Sequence, residues 1–319
     1  MSAPDRPAPG PGPGTPEPAT TPGRGVGLVG LGAMGRPMAL HLARTAAERG
    51  TELVVTTRRP GTASAALAAG ARWAATPREL AARCDVVVVM VPDLPDLRAV
   101  TDGDDGLLAG IAGPTVLVIG ATVSPQGVRD LGADLRERSA GRLRLVDAPV
   151  SGGVEGAADA TLSIMVGGDA DDVARAEPWL RALGRPVHLG PLGSGEVAKA
   201  CNQLVVAATT AALGEAAVVA ERAGLDLAAL LDLLGSGYAG SRLLEVKRHK
   251  LVAHDHSPAS PARFMIKDLA FAAEAAEGAG VVPALLPALR ELYTALTAAG
   301  LGDLDSTVVQ RYLEERTRD

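Results

Sequence analysis

The apolar positions of this chain follow two patterns, which divide it near residue 190. From Arg24 onward, short apolar runs, several of them rich in valine, alternate with Ala-, Arg- and Glu-rich stretches of helical spacing. Such runs predict strands that are covered on both faces, as in a parallel sheet. Regular alternation of strand and helix predicts a doubly wound α/β sheet with right-handed crossovers. The predicted strands cover residues 25–29, 53–56, 85–91, 116–119, 143–146 and 162–166.

Beyond residue 190 the apolar positions recur at helical spacing only. An Ala/Val/Leu-rich stretch over 195–223 predicts one long helix, which Gly224 ends. Shorter helices are predicted at 227–235, 241–253, 266–279 and 283–299. The pattern therefore predicts an α/β domain over 24–189 and an all-α domain over 190–319. The longest uncharged apolar stretch, 204–214, falls short of the ~20 residues that cross a bilayer, so no membrane partner is predicted.

Composition narrows the class of protein. The 319 residues carry a net charge of −6, which argues against nucleic acid as a partner, because phosphate binding needs clustered Lys and Arg. Two cysteines exclude a disulfide framework and fit a cytoplasmic protein. Residues 1–23 hold eight prolines and four glycines without an apolar run, which predicts a disordered tail and no secretory signal.

A glycine-rich turn follows the first predicted strand. Gly30, Gly32 and Gly35 fit the G-x-G-x-x-G pattern, with Ala33 and Met34 between the last two glycines and a helix after them. The first glycine permits a tight turn, the second lets backbone approach a pyrophosphate, and the third lets helix pack on strand. The helix N-terminus then offers N–H groups to the phosphates. This context predicts a dinucleotide site rather than a structural turn.

The end of the second strand indicates which dinucleotide binds. An NAD site usually has Asp or Glu about 20 residues beyond the glycines, where it accepts from the ribose 2′-hydroxyl. This chain has Thr57, Arg58 and Arg59 there, and no acid. Guanidinium groups bind phosphate through a planar fork, so NADP is predicted in preference to NAD, with Arg58 as the main ligand. A solvated arginine pair is the alternative.

Two further groups of residues suggest chemistry. The Ser-Gly-Gly run at 151–153 exposes N–H groups and a hydroxyl that suit a carboxylate, although an ordinary turn has the same composition. On the long helix, Lys199, Asn202 and Gln203 share one face. A lysine beside a cleft acts as a general acid once burial lowers its pKa. A lysine that extends its amine to solvent is the alternative.

Together these segments resemble the 3-hydroxyacid (β-hydroxyacid) dehydrogenase family, which includes 3-hydroxyisobutyrate dehydrogenase and the semialdehyde reductases. The resemblance runs from Gly25 to Leu313 and rests on four blocks in family order. The blocks are residues 27–35, residues 147–153, residues 190–195 leading to Lys199, and Lys267-Asp268-Leu269.

The resemblance implies a Rossmann-type domain followed by an all-α domain, with the site in the cleft between them. It implies hydride transfer between NADP and a small 3-hydroxy or 2-hydroxy acid or its semialdehyde, by a homodimer or homotetramer. Lys199 would move the proton of the substrate oxygen, and Asn202 would orient the lysine or the substrate. Carried over by position, the substrate-binding residues would be Ser151, Gly152, Gly153, Gln203 and Thr122. The cofactor-binding residues outside the glycine turn and the arginine pair would be Val91, Pro92, Thr122 and Lys267.

Three positions depart from the family pattern and bear on substrate choice. Ala121 stands where a serine is frequent, Gln203 where many members have asparagine, and Ala160 where glycine is usual. Two other functions stay open at this point. An imine reductase shares this architecture but typically lacks the lysine at 199, and a non-catalytic NADP-binding scaffold would not need it.

A few remaining polar residues are expected to be structural. His254 and His256 have metal-ligand spacing but no evident third ligand, so no metal is predicted. Asp169, Asp171 and Asp172 are expected to be N-terminal caps and dipole partners of a helix, and Cys201 is expected to be buried.

Overall fold

The computed structural model describes residues 24–316 as nine strands and fourteen α-helices. The tail predicted at 1–23 lies outside the described residues. The strands are β1 (Gly25–Val29), β2 (Leu53–Thr56), β3 (Arg72–Trp73), β4 (Cys84–Val89), β5 (Thr115–Ile119), β6 (Leu143–Asp147), β7 (Val150–Ser151), β8 (Leu162–Gly167) and β9 (Gly184–Gly190).

The helices of the first half connect these strands. They are α1 (Gly35–Glu48), α2 (Ser64–Ala68), α3 (Pro77–Ala81), α4 (Leu94–Thr101), α5 (Leu107–Gly110), α6 (Pro125–Arg138), α7 (Gly153–Ala158) and α8 (Ala170–Arg181). The second half is helical: α9 (Ser194–Arg222), α10 (Leu227–Ser236), α11 (Arg242–Ala253), α12 (Phe264–Gly278), α13 (Leu286–Leu296) and α14 (Val309–Arg316).

The sheet confirms the predicted fold class. Its strand order is β3-β2-β1-β4-β5-β6-β8-β7, with β9 beside β8. The first six strands are parallel in the doubly wound order. Successive strands are added to one side of β1 up to β3 and to its other side from β4, so a crevice opens at the carboxyl ends of β1 and β4. Beyond β6 the sheet becomes mixed, because β8 runs antiparallel to β6 and β7.

The short strands β3 and β7 were not predicted from the sequence, and neither were two longer elements, β9 and α14. β9 is mostly exposed and contains Pro186, so it lacks the apolar run that marks the other strands. α14 is rich in charged residues and buries only a few side chains, among them Val309 and Tyr312. Both elements are held by their neighbours: β9 pairs with β8, and α14 packs on α9.

Helix α9 is the centre of the helical domain. It packs against α12, α14 and the edge strands β8 and β9. A side chain at Gly214 would press on Val309, which shows how closely α9 and α14 approach. With 29 residues, α9 is also long and apolar enough to cross a membrane, the one such helix in residues 24–316. Half of that apolar stretch is buried within the protein, as for a core helix.

Two expectations about single side chains are wrong. Cys201 is exposed, because it lies on the side of α9 that turns away from the domain core. Asp169 and Asp172 make no side-chain cap on α8; instead, both pair with Arg144 of β6, at 2.9 and 3.2 Å. An arginine of a neighbouring strand therefore competes successfully for the carboxylates.

Candidate active site

The glycine turn has the shape of a pyrophosphate cradle. Gly30 has φ of +95°, and a side chain there would overlap the carbonyl of Met90. A side chain at Gly35 would overlap the carbonyl of Gly30, whereas Gly32 faces open space with no atom within 4 Å of its Cβ position. Met34 precedes α1 without capping it, and the first turn of α1 holds no acid. The residues present fit a dinucleotide phosphate at this turn.

The arginine pair lies beside that turn. The N–H of Gly30 donates to the carbonyl of Thr56 at 3.0 Å, which places Thr57, Arg58 and Arg59 next to the glycines. Arg58 is largely exposed, and its guanidinium lies 3.5 Å from a carboxylate oxygen of Asp96. An exposed pair of this kind contributes little stability, so the guanidinium is available to a phosphate.

Lys199 is buried at the start of α9 within a hydrogen-bonded network. Its Nζ donates to Gln203 Oε1 at 3.0 Å, and Asn202 Nδ2 donates to the same oxygen at 2.9 Å. Gln203 Nε2 in turn donates to Asp268 of α12. The structure thus joins all three residues predicted on this face of α9.

Burial controls the protonation of this network. Burial lowers the pKa of Lys199, while the nearby carboxylate of Asp268 acts in the opposite direction, as Glu196 would in its ionised form. Burial also raises the pKa of Asp268, against the hydrogen bond from Gln203. A lysine whose pKa is brought down from its ordinary value exchanges protons more readily near neutral pH.

Lys267 of α12 joins the loops that follow β4 and β5. Its Nζ donates to the carbonyl of Pro92 at 3.1 Å and to that of Thr122 at 2.8 Å. Val91, which precedes Pro92, packs against the apolar core on that side of the sheet. Three of the residues predicted around the cofactor therefore meet at the carboxyl edge of the sheet.

The Ser151-Gly152-Gly153 run forms the turn from β7 into α7. Gly152 and Gly153 have φ of +131° and +66°, and Gly152 occupies the N-cap position of α7. Ser151 pairs in register with Ser163 of β8. The described contacts include no hydrogen bond between this turn and Lys199.

Sequence reasoning assigned no role to two acids of this region. Asp147, at the end of β6, accepts from the N–H groups of Gly193 and Glu196, both at 2.8 Å, and so caps α9. Glu196 lies one turn before Lys199 and accepts from the N–H of Val123 at 3.1 Å. Its spacing of three residues from Lys199 is the one signal in the sequence that places it on the same face.

His254 and His256 have separate partners, although their spacing in the sequence is that of metal ligands. Glu221 and Glu314 flank His254, at 2.8 Å from Nε2 and 3.2 Å from Nδ1. His256 is buried separately, with Nδ1 3.0 Å from the Thr307 hydroxyl. Carboxylates of α9 and α14 thus contact both ring nitrogens of His254.

Comparison with known proteins agrees with this geometry. Residues 25–193 match the family model described as the NAD binding domain of 6-phosphogluconate dehydrogenase. Residues 193–313 match the model for the NAD-binding region of NADP-dependent 3-hydroxyisobutyrate dehydrogenase. The chain belongs to the 3-hydroxyacid dehydrogenase family. Its members are NAD(P)-dependent oxidoreductases, so the predicted resemblance is confirmed.

The similarity to known proteins extends over almost the whole chain. An NAD-dependent L-serine dehydrogenase of Pseudomonas aeruginosa is 34% identical over 91% of the chain and 97% of its own length. A 2-hydroxy-3-oxopropionate reductase of Escherichia coli has the same identity and the same coverage. The crystal structure of a 3-hydroxyisobutyrate dehydrogenase from Salmonella typhimurium is 28% identical, covers 91% of the chain and 99% of its own, and superposes with a TM-score of 0.80.

Imine reductases share the fold at greater distance. The enzyme of Streptomyces aurantiacus is 20% identical, covers 91% of the chain and 99% of its own, and superposes with a TM-score of 0.59. At that identity the likeness concerns the fold alone.

Proposed function

We propose that this protein is an NADP-dependent oxidoreductase that interconverts a small hydroxy acid and its carbonyl form, with Lys199 as general acid and base. The observation that carries the proposal is the buried amine of Lys199, held by Gln203 and flanked by Asp268, one helical turn after Glu196, which contacts the dinucleotide domain. When bound, the nicotinamide supplies or accepts the hydride. Lys199 gives a proton to the substrate oxygen during reduction and takes it back during oxidation.

Lysine suits this role where arginine would not. An arginine guanidinium stays protonated at any accessible pH, while a buried lysine can lose its proton. Gln203 holds one of the three N–H donors of the ammonium group. Two donors therefore remain for a substrate oxygen and a neighbouring group.

The substrate class follows from the relatives and from the turn at β7. L-Serine and 2-hydroxy-3-oxopropionate, named for the two relatives, are both three-carbon carboxylates with the reacting oxygen on the third carbon. We assign the carboxylate of a similar substrate to Ser151, Gly152 and Gly153. Successive N–H groups near positive-φ glycines form an anion-binding concavity, which supports this assignment.

The proposed cofactor preference rests on Arg58, Arg59 and Thr57 and on the absence of an acid at this end of β2. The Pseudomonas relative is named as NAD-dependent, so this preference separates the present chain from it. We expect Arg58→Ala to raise the KM for NADPH by roughly tenfold or more, the loss expected for a charge-assisted phosphate contact. The KM for NADH should stay unchanged, and an equal change in both values would refute the assignment.

The direct test is loss of NADPH absorbance with glyoxylate, succinic semialdehyde, tartronate semialdehyde and methylmalonate semialdehyde, with NADH in parallel. Turnover of at least one compound with preference for NADPH is expected. Tight NADPH binding with no turnover of any of the four would overturn the proposed activity. The same assay with cyclic imines as substrates tests for the alternative activity, imine reduction.

We also propose that the protein is a homodimer or homotetramer. Large apolar side chains are exposed on the helical half, among them Val205 and Val219 of α9, Leu233 of α10 and Tyr238. Exposed apolar area of this kind marks interaction surfaces. Light scattering should give at least twice the 32.3 kDa chain mass, and a monomer at working concentration would contradict the proposal.

A further inference from the structure

Three charged side chains of the helical domain hold the loop that follows β5. Lys267 donates to the carbonyl of Thr122, and Glu196 accepts from the N–H of Val123. Glu274 of α12 accepts from the Ser124 hydroxyl at 2.7 Å and from the N–H of Gln126 at 2.9 Å. The loop between residues 122 and 126 is therefore the place where the helical domain is positioned on the dinucleotide domain.

Glu196 differs from the other two because it is almost wholly buried. Its residue is 1% exposed, and no Lys, Arg or His nitrogen of residues 24–316 lies within ion-pair distance of its carboxyl group, so that Lys199 and Lys267 act on it only from farther away. Its Oε2 accepts from Val123, while Oε1 is buried without a hydrogen-bond partner. An ionised carboxylate in such a place would lose the hydrogen bonds that water supplies, so the neutral acid is the stable form.

We propose that Glu196 is a positioning residue that acts as a neutral hydrogen-bonding group: it fixes the Val123 N–H and thereby the Thr122 carbonyl to which Lys267 binds. This inference rests on the proposed function, because the loop it fixes lies at the predicted nicotinamide end of the cleft. Glu196 acts through the backbone and does not itself touch the reacting atoms.

Burial outweighs the cations that face Glu196. Asp147 of β6, Lys199 of α9 and Lys267 of α12 are the titratable groups that face it. Burial, together with Asp147, raises its pKa well above the ordinary range, although the Val123 N–H and the two lysines lower it. An anion at this position would raise the pKa of Lys199, against the lowering that burial produces. A neutral Glu196 therefore holds the loop in place without raising the pKa of Lys199, the proposed general acid.

Three variants separate hydrogen bonding from charge. Glu196→Gln keeps an acceptor for the Val123 N–H and removes the ionisable group, whereas Glu196→Leu removes both. Glu177→Gln, on the surface of α8, is the matched control. With a substrate that the wild type reduces, Glu196→Gln and Glu177→Gln should keep kcat and the pH profile. Glu196→Leu should lower kcat by roughly tenfold to a hundredfold, as for a small misplacement of reacting groups. Wild-type kcat in Glu196→Leu would overturn the positioning role, and a shifted pH profile in Glu196→Gln would overturn the neutral state.

A second measurement needs no turnover and so separates this proposal from the proposed function. The chain has only four lysines, at 199, 247, 250 and 267, so their NMR signals are readily assigned. In lysine-labelled protein, Lys199 should titrate at the same pH in Glu196→Gln as in the wild type, and hydrogen exchange at the Val123 amide should stay slow. A lower pKa for Lys199, or rapid exchange at Val123, would overturn the inference. An inactive wild type with these NMR results intact would count against the proposed function alone.

Discussion

At the scale of single residues, the distribution of lysine is informative. Only four of the 31 basic residues are lysines, so arginine supplies almost all the surface cations. Lys247 and Lys250 are mostly buried and pair with Asp305 and Asp255. Lys199 donates to Gln203 within the helical domain, and Lys267 donates to the loops that follow β4 and β5 of the dinucleotide domain. Each lysine thus stands where a compact amine makes specific contacts, which strengthens the assignment of proton transfer to Lys199.

The pH dependence of carbonyl reduction should report on Lys199. The reaction uses the protonated amine, so the rate falls as pH rises through a pKa that burial has lowered from 10.5. Asp268 raises that pKa and Lys267 lowers it. Asp268→Asn should therefore move the descending limb of kcat/KM to lower pH, whereas Asp104→Asn in an exposed loop should not. An unmoved limb, or one moved to higher pH, would disconnect Asp268 from Lys199.

Ala160 adopts a backbone conformation that favours glycine. It has φ of +55° in the turn before β8, a region that costs an L-residue about 1–2 kcal/mol. Ala160→Gly relieves this strain but adds backbone entropy to the unfolded chain, for a net gain of up to about 1 kcal/mol.

Urea unfolding checks this prediction against a matched change. Ala133→Gly, at an exposed position inside α6, should lower the free energy of unfolding by about 1 kcal/mol. If Ala160→Gly destabilises the protein as much as Ala133→Gly does, the strain argument is wrong.

At the scale of elements, the unit formed by β1, the glycine turn and α1 carries the cofactor assignment. A side chain at Gly35 collides with the Gly30 carbonyl, whereas one at Gly32 meets only open space. Gly35→Ala should therefore reduce both stability and NADPH affinity, with a stability loss of about 1–3 kcal/mol from overpacking. Gly32→Ala should reduce NADPH affinity alone, measured by fluorescence titration beside urea unfolding. If Gly32→Ala binds NADPH as tightly as the wild type does, the assignment of the pyrophosphate to this turn is wrong.

The elements that the sequence predicted are those with a strong local signal. The run from Cys84 to Val89 contains four consecutive valines, and β4 is buried at every position but Asp85, so pattern and burial agree. β9 and α14 carry no such signal, because partner elements rather than their own apolar residues hold them. Fold class could therefore be predicted well, and the edges of each domain less well.

At the scale of the whole molecule, the site depends on contacts that no local pattern shows. Glu196 reaches Val123 across 73 residues, Gln203 reaches Asp268 across 65, and Lys267 reaches Thr122 across 145. The sequence indicated Lys199, Gln203 and Lys267 through motifs, but their partners depend on how α9 and α12 lie against the sheet. The role of Glu196 follows from that arrangement alone.

The measurement that tests the central claim most directly compares Lys199→Met with the wild type, on a substrate that the wild type reduces. Methionine keeps the length and burial of the side chain and removes the proton. General acid catalysis contributes ~10²–10⁴-fold, so kcat should fall by that factor while the dissociation constant of NADPH stays unchanged. Wild-type kcat in Lys199→Met would remove Lys199 from the mechanism and contradict the account.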